Sequence, residues 1–243
     1  MLPSGSLSGK MPSRSLTVVV PVLNEADGIA AHLRHLQGLR AHGAEIVVAD
    51  GGSSDGTSDR IGDLADRVVV APRGRACQMN AGARGARGTV LVFLHADTWL
   101  PDGAERAIAA GLARSGRVWG RFDVRIAGRH PLLGAVARLM NARSRLTGIA
   151  TGDQAVFVAR AAFEEVGGYA DLPLMEDIVL SRALKRISPP VCLRERVVTS
   201  GRRWEKDGVA RTIWSMWRLC LAFALGADPH ALAVAYGYKP RDA

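Results

Sequence analysis

Residues 16–23 read LTVVVPVL, an almost unbroken apolar run rich in β-branched residues, with no polar alternation. A strand buried on both faces, as in a parallel sheet covered by helices, has this pattern. A helix follows, with Ile29, Leu33, Leu36 and Leu39 at helical spacing. The alternation then repeats: a buried strand at Glu45–Ala49 ending in Asp50, a helix from about Asp55, a strand at Arg67–Val70, a helix around Ala76–Ala83 and a strand at Thr89–Leu94. This order implies right-handed crossovers and a parallel sheet. The second half is less regular. Helices are expected at Ala104–Ala113, Leu132–Leu146 and Met175–Ile187, and strands at Val118–Ile126, Ala155–Val158 and Val191–Thr199. The stretch Val209–Leu225 is strongly apolar and holds Trp214, Met216, Trp217, Leu219 and Phe223. No repeat or linker interrupts the chain after residue 15, which predicts one α/β domain over residues 16–243 behind a disordered Ser/Gly/Pro-rich tail, residues 1–15.

Composition supports a globular chain. It has 243 residues, 48% of them hydrophobic but only 5% aromatic, so the core must rest on Val, Leu, Ile and Ala. The net charge of +9 is carried almost wholly by arginine. Such a balance fits an anionic substrate or membrane surface, and fits Arg-rich genomic composition equally well. Nucleic acid is disfavoured, because no long basic run or nucleic-acid-binding signature occurs. Three widely spaced cysteines, Cys77, Cys192 and Cys220, point to neither a zinc site nor a disulfide framework, and a reducing cytoplasm is expected. The apolar run behind Lys10 and Arg14 is too short for a signal peptide and lacks a small-residue cleavage site.

In an open parallel sheet, ligands bind outside the carboxyl ends of the strands. Those ends carry Asn24–Glu25, then Asp50-Gly51-Gly52-Ser53-Ser54-Asp55-Gly56-Thr57, then His95-Ala96-Asp97. Polar and acidic groups therefore converge on one edge, which calls for a metal or a cationic ligand. Glycines permit a tight turn after Asp50, and the Ser53/Ser54/Asp55 set offers an N-cap for the next helix. Neither GxxxxGK[ST] nor GxGxxG is present, which weakens a P-loop or dinucleotide-binding reading.

The segments TVVVPVLNE (17–25), VVADGGSSDGT (47–57), FLHADT (93–98), GDQAVF (152–157), Gly167–Tyr169, MED (175–177) and Arg202-Arg203-Trp204 occur in an order that resembles family 2 glycosyltransferases. The resemblance spans about residues 16–205. It implies a GT-A type nucleotide-diphospho-sugar transferase fold, α/β with a mostly parallel central sheet flanked by helices. A nucleotide-binding half (16–100), an acceptor and catalytic half (101–205) and C-terminal helices (206–243) are implied within it. It further implies that Pro21, Asn24, Glu25, Asp50, Gly52, Arg73, Arg75, Gln78 and Ala96 meet the nucleotide, with Asp50 on the base. Asp97 would hold a divalent metal, Mn²⁺ or Mg²⁺, beside the donor diphosphate. Asp177 would be the catalytic base with Glu176 as its neighbour. Gly152, Asp153, Arg203 and Trp204 would serve the phosphates or the acceptor.

The implied activity is inverting transfer of one sugar from a UDP- or GDP-sugar to the hydroxyl of a sugar or lipid-linked acceptor. Two departures from the family pattern matter. His95 stands where the first acid of Asp-x-Asp is usual, and an imidazole there favours Mn²⁺ over Mg²⁺ if it ligates at all. Position 200 is Ser where the processive synthases have the Gln of Gln-x-x-Arg-Trp, so non-processive transfer is expected. A sugar-phosphate nucleotidyltransferase is an alternative, opposed by Asn24–Glu25 where that class carries a basic Gly-rich loop. A catalytically silent binding module is another, opposed by the joint presence of Asp50, Asp97 and Asp177. Thr212–Leu225 is too short to span a bilayer. It is expected either to cover the core or to lie in a membrane interface as an amphipathic anchor, at the inner face of the membrane if the acceptor is a lipid.

Overall fold

The first apolar run becomes β1 (Leu16–Val22), buried at every residue, in a computed structural model that describes residues 16–238. The expected tail, residues 1–15, lies outside the described residues. Helices α1 (Ile29–His35) and α2 (Gln37–Ala41) follow, then β2 (Glu45–Asp50), again wholly buried. Next come α3 (Thr57–Ile61), β3 (Arg67–Val70), α4 (Arg75–Ala83) and β4 (Val90–Phe93). A two-residue β5 (Thr98–Trp99) leads to α5 (Ala104–Ser115), β6 (Trp119–Ala127) and α6 (Leu133–Thr147). The chain continues through β7 (Val156–Ala159), α7 (Arg160–Glu165), α8 (Glu176–Ile187) and β8 (Val191–Ser200). It closes with α9 (Arg202–Asp207), α10 (Val209–Ala224) and α11 (Pro229–Ala235).

All eight strands form one sheet in the order β3-β2-β1-β4-β7-β6-β8-β5. The first four pair in parallel, as the apolar runs predict. The second half departs from that rule: β7 runs antiparallel to both β4 and β6, and β5 antiparallel to β8. Register sets the site. Val22 lies opposite Asp50 and Asp50 opposite Val70, so the loops after β1, β2 and β3 leave the sheet at one level. Helix α4 lies close on this sheet because Gly82 has no Cβ; one built there would stand 2.4 Å from Val19 Cγ1.

A polar network ties β6 to α6 inside the core. The guanidinium of Arg121, fully buried, donates to Asp123, to Ser144 Oγ at 3.0 Å and to the Asn141 carbonyl at 3.1 Å. Arg145 binds the other Asp123 oxygen at 2.6 Å. Asn141 exchanges hydrogen bonds with the Val124 backbone, and Gln154 donates to its Oδ1 at 3.4 Å. Asp123 sits beside the register shift between β6 and β8, where a bulge redirects a side chain.

Candidate active site

The loops after β1 and β2 are sewn together. Asn24 adopts a left-handed φ of +55°, its N–H donates to Ser53 Oγ at 2.9 Å, and its side-chain oxygen accepts from the Ser54 N–H at 2.9 Å. The Glu25 N–H donates to Thr57 Oγ1 at 2.8 Å, and the Ala26 N–H to Asp55 Oδ2 at 3.0 Å. Asp55 also accepts the Thr57 N–H, but the N-cap position itself is Gly56, at φ +85°, one residue later than the expected cap. Asp50 organises its own turn: its carboxylate accepts from the Gly52 and Ser53 N–H groups and from the hydroxyls of Ser53 and Ser58. Burial works against its charge, yet the hydrogen bonds from Ser53 and Ser58 hold its carboxyl below the ordinary range.

Beside this stitched edge lies a cavity of about 260 Å³. Pro21 and Glu25 line it from the end of β1, Arg73, Arg75 and Gln78 from the start of α4, and His95, Ala96 and Asp97 from the end of β4. Burial raises the Glu25 carboxyl; Arg202 opposes the rise, while Asp97 and Asp55 add to it. The cavity therefore carries arginines, Arg73 and Arg75, together with two carboxylates, Glu25 and Asp97.

His95 joins it to the second half. Its imidazole, 8% exposed, rests on the Cα of Gly152, where a built Cβ would stand 2.3 Å from the ring. Its Nδ1 lies 3.4 Å from Asp153 Oδ1. Burial opposes the charge of Asp153, but His95, Arg75 and Arg203 outweigh it and hold that carboxyl low. The Gly152 N–H donates to Asp177 Oδ2 at 3.0 Å, and the Ile178 N–H to Asp177 Oδ1 at 2.7 Å. Burial nonetheless raises the Asp177 carboxyl, with Asp153 adding to the effect. Among the described residues, the three non-glycine positions with positive φ, Asn24, Ala155 and Met175 (+72°), stand beside Glu25, Gln154 and Glu176, respectively. Strained backbone of this kind gathers at functional sites.

Several expected roles change. Asp50, Gly52 and Asn24 shape the rim without lining the cavity, because their polar groups are spent on the loop itself. Gln78 lines the cavity, but its amide N–H groups donate to the Val22 and Ala49 carbonyls at 2.6 and 3.0 Å, bracing β1 against β2. Trp204 does not close over a ligand: it is 8% exposed and packs in the core with Leu133, Val136 and Val209. Arg203 lies with its guanidinium 4.1 Å from the Tyr236 ring centroid and donates to the Tyr236 hydroxyl. His95 directs Nδ1 to Asp153 and packs its ring on Gly152, which makes it a connector between the two halves. Tyr238, which lines the cavity 6.0 Å from Arg75, escapes sequence reasoning, as does Arg202, with Nη2 at 3.9 Å from Asp97. The one available signal was that two of the three tyrosines, in a chain poor in aromatics, stand at positions 236 and 238.

Comparison with known proteins decides the family. Glycosyl transferase family 2 matches over residues 17–159, more than half of the chain. The chain belongs to glycosyl transferase family 2. Over 116 residues it is 34% identical to the succinoglycan biosynthesis protein ExoA of Rhizobium meliloti, covering 44% of this chain and 35% of that protein. The chain thus spans about a third of the length of this curated relative. The fold is similar to S. aureus TarS (TM-score 0.60, 15% identity, 77% of this chain and 60% of that one). It is also similar to the mannosyltransferase PcManGT of Pyrobaculum calidifontis, solved with GDP-Man and Mn²⁺ (0.58, 24%, 93% and 65%). Glucosyl-3-phosphoglycerate synthase of Mycobacterium tuberculosis, solved with Mn²⁺ and UDP, is a further neighbour (0.54, 18%, 76% and 71%). The α/β sheet is accordingly a GT-A fold.

In this family 2 glycosyltransferase, no group of three or more His, Cys, Asp or Glu side chains among the described residues is placed to hold a metal by itself. The Asp97 side chain, 36% exposed, and Glu25 line the same cavity. This donor set fits a divalent cation that takes its remaining ligands from phosphate oxygens and water, as Mg²⁺ and Mn²⁺ do in nucleotide sites.

Glu176, 7% exposed, gives the glycosyltransferase a pH-dependent stability. Burial, reinforced by Asp177 and opposed by Arg75, pushes its carboxyl from 4.5 up to about 7. A carboxyl raised on folding contributes stability that is present below its unfolded pKa and lost as pH rises through the folded one. Glu176→Gln should therefore melt close to wild type at pH 4 and several degrees higher at pH 8, a difference of at most about 3 kcal/mol. Melting curves across pH check this; equal melting temperatures at pH 8 would show that Glu176 carries no such penalty.

Proposed function

We propose that this chain transfers one sugar from a UDP- or GDP-sugar to an acceptor hydroxyl with inversion at the anomeric carbon. The observation that carries the reading is the cavity at the carboxyl ends of β1 and β4, lined by Arg73, Arg75, Glu25 and Asp97, with Asp177 accepting from the Gly152 N–H beside His95. Pro21, Val22 and Gln78 offer a surface to the nucleoside, and Arg73 and Arg75 meet the diphosphate charge. In the reaction the acceptor oxygen bonds to the anomeric carbon from the side opposite the diphosphate. The bond from that carbon to the diphosphate oxygen breaks, and its electron pair leaves with the diphosphate. The acceptor proton passes to Asp177, whose raised pKa makes it a stronger base than an ordinary aspartate. A divalent metal held by Asp97, when bound, neutralises charge on the departing diphosphate. The stitched loop after β1 argues against nucleotidyl transfer, since no mobile basic segment follows that strand.

Calorimetric titration with UDP and GDP, with Mn²⁺ and after chelation, tests the donor site. One of the two nucleotides should bind, and chelation should weaken it. Arg75→Ala should weaken it about tenfold to a hundredfold, the range for a lost charge-assisted hydrogen bond. Absence of binding by both nucleotides with metal present would remove the donor-site assignment.

A further inference from the structure

The described residues contain no helix long and apolar enough to cross a membrane, yet α10 is apolar on two opposite faces. Its inner face buries Val209, Thr212 and Leu219. Its outer face carries Trp214, Trp217, Leu221 and Leu225 at spacings of three, four and four, with exposures of 72%, 74%, 63% and 79%. Residues three and four apart share a helix face, so these four side chains form one stripe. Helix α6 repeats the arrangement: Leu139 and Leu146 are exposed seven residues apart, in line with Leu132 just before its first turn. The two helices serve the same core, since Met140 of α6 and Ile213 and Met216 of α10 pack on the cluster that holds Leu133, Val136, Trp204 and Val209.

Charge identifies what covers these stripes. Neither α6 nor α10 contains an aspartate or a glutamate, while Arg138, Arg211 and Arg218 are exposed along them. On the outer face of α10 both arginines fall on the same flank of the tryptophan stripe, at steps of three and four residues from Trp214. A two-fold contact of these helices with themselves in a second copy of this chain would bring the arginines together with no carboxylate on either helix to meet them. A surface of anionic lipid supplies phosphates to the arginines, an apolar layer to the leucines and the interfacial zone that indole rings favour.

We infer that the outer face of α10, extended by the exposed leucines of α6, is a docking surface for an anionic phospholipid membrane. The helix lies in the plane of the interface, with Trp214, Trp217, Leu221 and Leu225 inserted and Arg211 and Arg218 at the level of the headgroups. The inference does not depend on the proposed transfer reaction, because attachment requires neither donor nor acceptor.

Co-sedimentation of the full chain with vesicles tests it. The protein should pellet with phosphatidylcholine–phosphatidylglycerol vesicles and remain in solution with phosphatidylcholine alone. Trp214→Ser/Trp217→Ser should lower the partition about tenfold or more, and Arg211→Gln/Arg218→Gln should lower it about as much and flatten its salt dependence. All four side chains are exposed, so melting curves should match wild type and confirm that the variants fold. Failure to pellet with the anionic vesicles would overturn the inference, and so would partition that survives the tryptophan changes. A lipid-free dimer that Trp217→Asp dissociates, with no vesicle binding, would overturn it in favour of self-association.

Discussion

Asp177→Asn should reduce sugar transfer about a hundredfold to ten-thousandfold, the range that general-base catalysis supplies, while leaving nucleotide affinity within a factor of about two. The asparagine oxygen can still accept the N–H of Gly152 or Ile178, so the first turn of α8 keeps a partner for at least one of these donors. The amide cannot take the acceptor proton. The cavity residues assigned to the nucleotide in the proposed reading come from β1, α4 and β4 and the loops beside them, whereas Asp177 accepts its hydrogen bonds from Gly152 and Ile178. The informative measurement pairs transfer rates with calorimetric affinity for UDP or GDP. Transfer at the wild-type rate would assign the proton to another group. A parallel collapse of affinity would show that the change disturbed the His95–Gly152 contact.

Asp123→Ala should cost about 3–5 kcal/mol of folding stability, the usual penalty for stranding a buried charge. Arg121 is wholly inside the protein and has Asp123 as its carboxylate partner. Removing that carboxylate leaves the guanidinium with Ser144 and the Asn141 carbonyl, neither of which carries charge, and also releases Arg145. By the same reasoning Arg121→Met/Asp123→Leu should be far milder than Asp123→Ala alone, because the one charge left without its carboxylate, Arg145, is partly exposed. Urea unfolding of the two variants separates the cases. If the double variant is the less stable of the two, the ion pair is worth more than its desolvation cost. The network reaches the turn at Gly152–Gln154 through Asn141 and Gln154, so Asp123→Ala should also lower transfer, at least by the fraction that unfolds.

The parallel half was legible because hydrophobicity alone dictates it. Leu16–Leu23 and Glu45–Ala49 read as buried strands, and the structure places β1 and β2 within a residue of those bounds. Strand β5 was not legible: two residues carry no periodicity, and Thr98 and Trp99 are strand only because β8 lies opposite. The antiparallel placement of β7 depends likewise on long-range pairing. At the site, the strand-end rule brought Glu25, Arg73, Arg75, His95 and Asp97 to one cavity, as expected from their positions after β1, β3 and β4. Side-chain commitment was what the sequence could not display. Asp50 stands where a ligand contact was expected, but four donors of its own loop already occupy it. Trp204 follows two arginines and reads as a surface aromatic, but the core claims it. Tyr238 reaches Arg75 from the far end of the described chain, a contact no local pattern encodes. The apolar stretch at Val209–Leu225 was open to two readings, core cover or interface anchor. The buried face of α10 answers the first, and its exposed face is left for the second.

The contact of His95 with Gly152 constrains how this chain can vary. The imidazole occupies the volume that any side chain at position 152 would need, so the two positions hold a fixed amount of space between them. Bulk added at 152 needs bulk surrendered at 95. Adding bulk at 152 first displaces the ring and with it the amide that donates to Asp177, whereas trimming 95 first leaves a void beside that amide. The two positions at this seam between the halves are therefore coupled: a side chain at 152 should cost less beside a small residue at 95 than beside histidine.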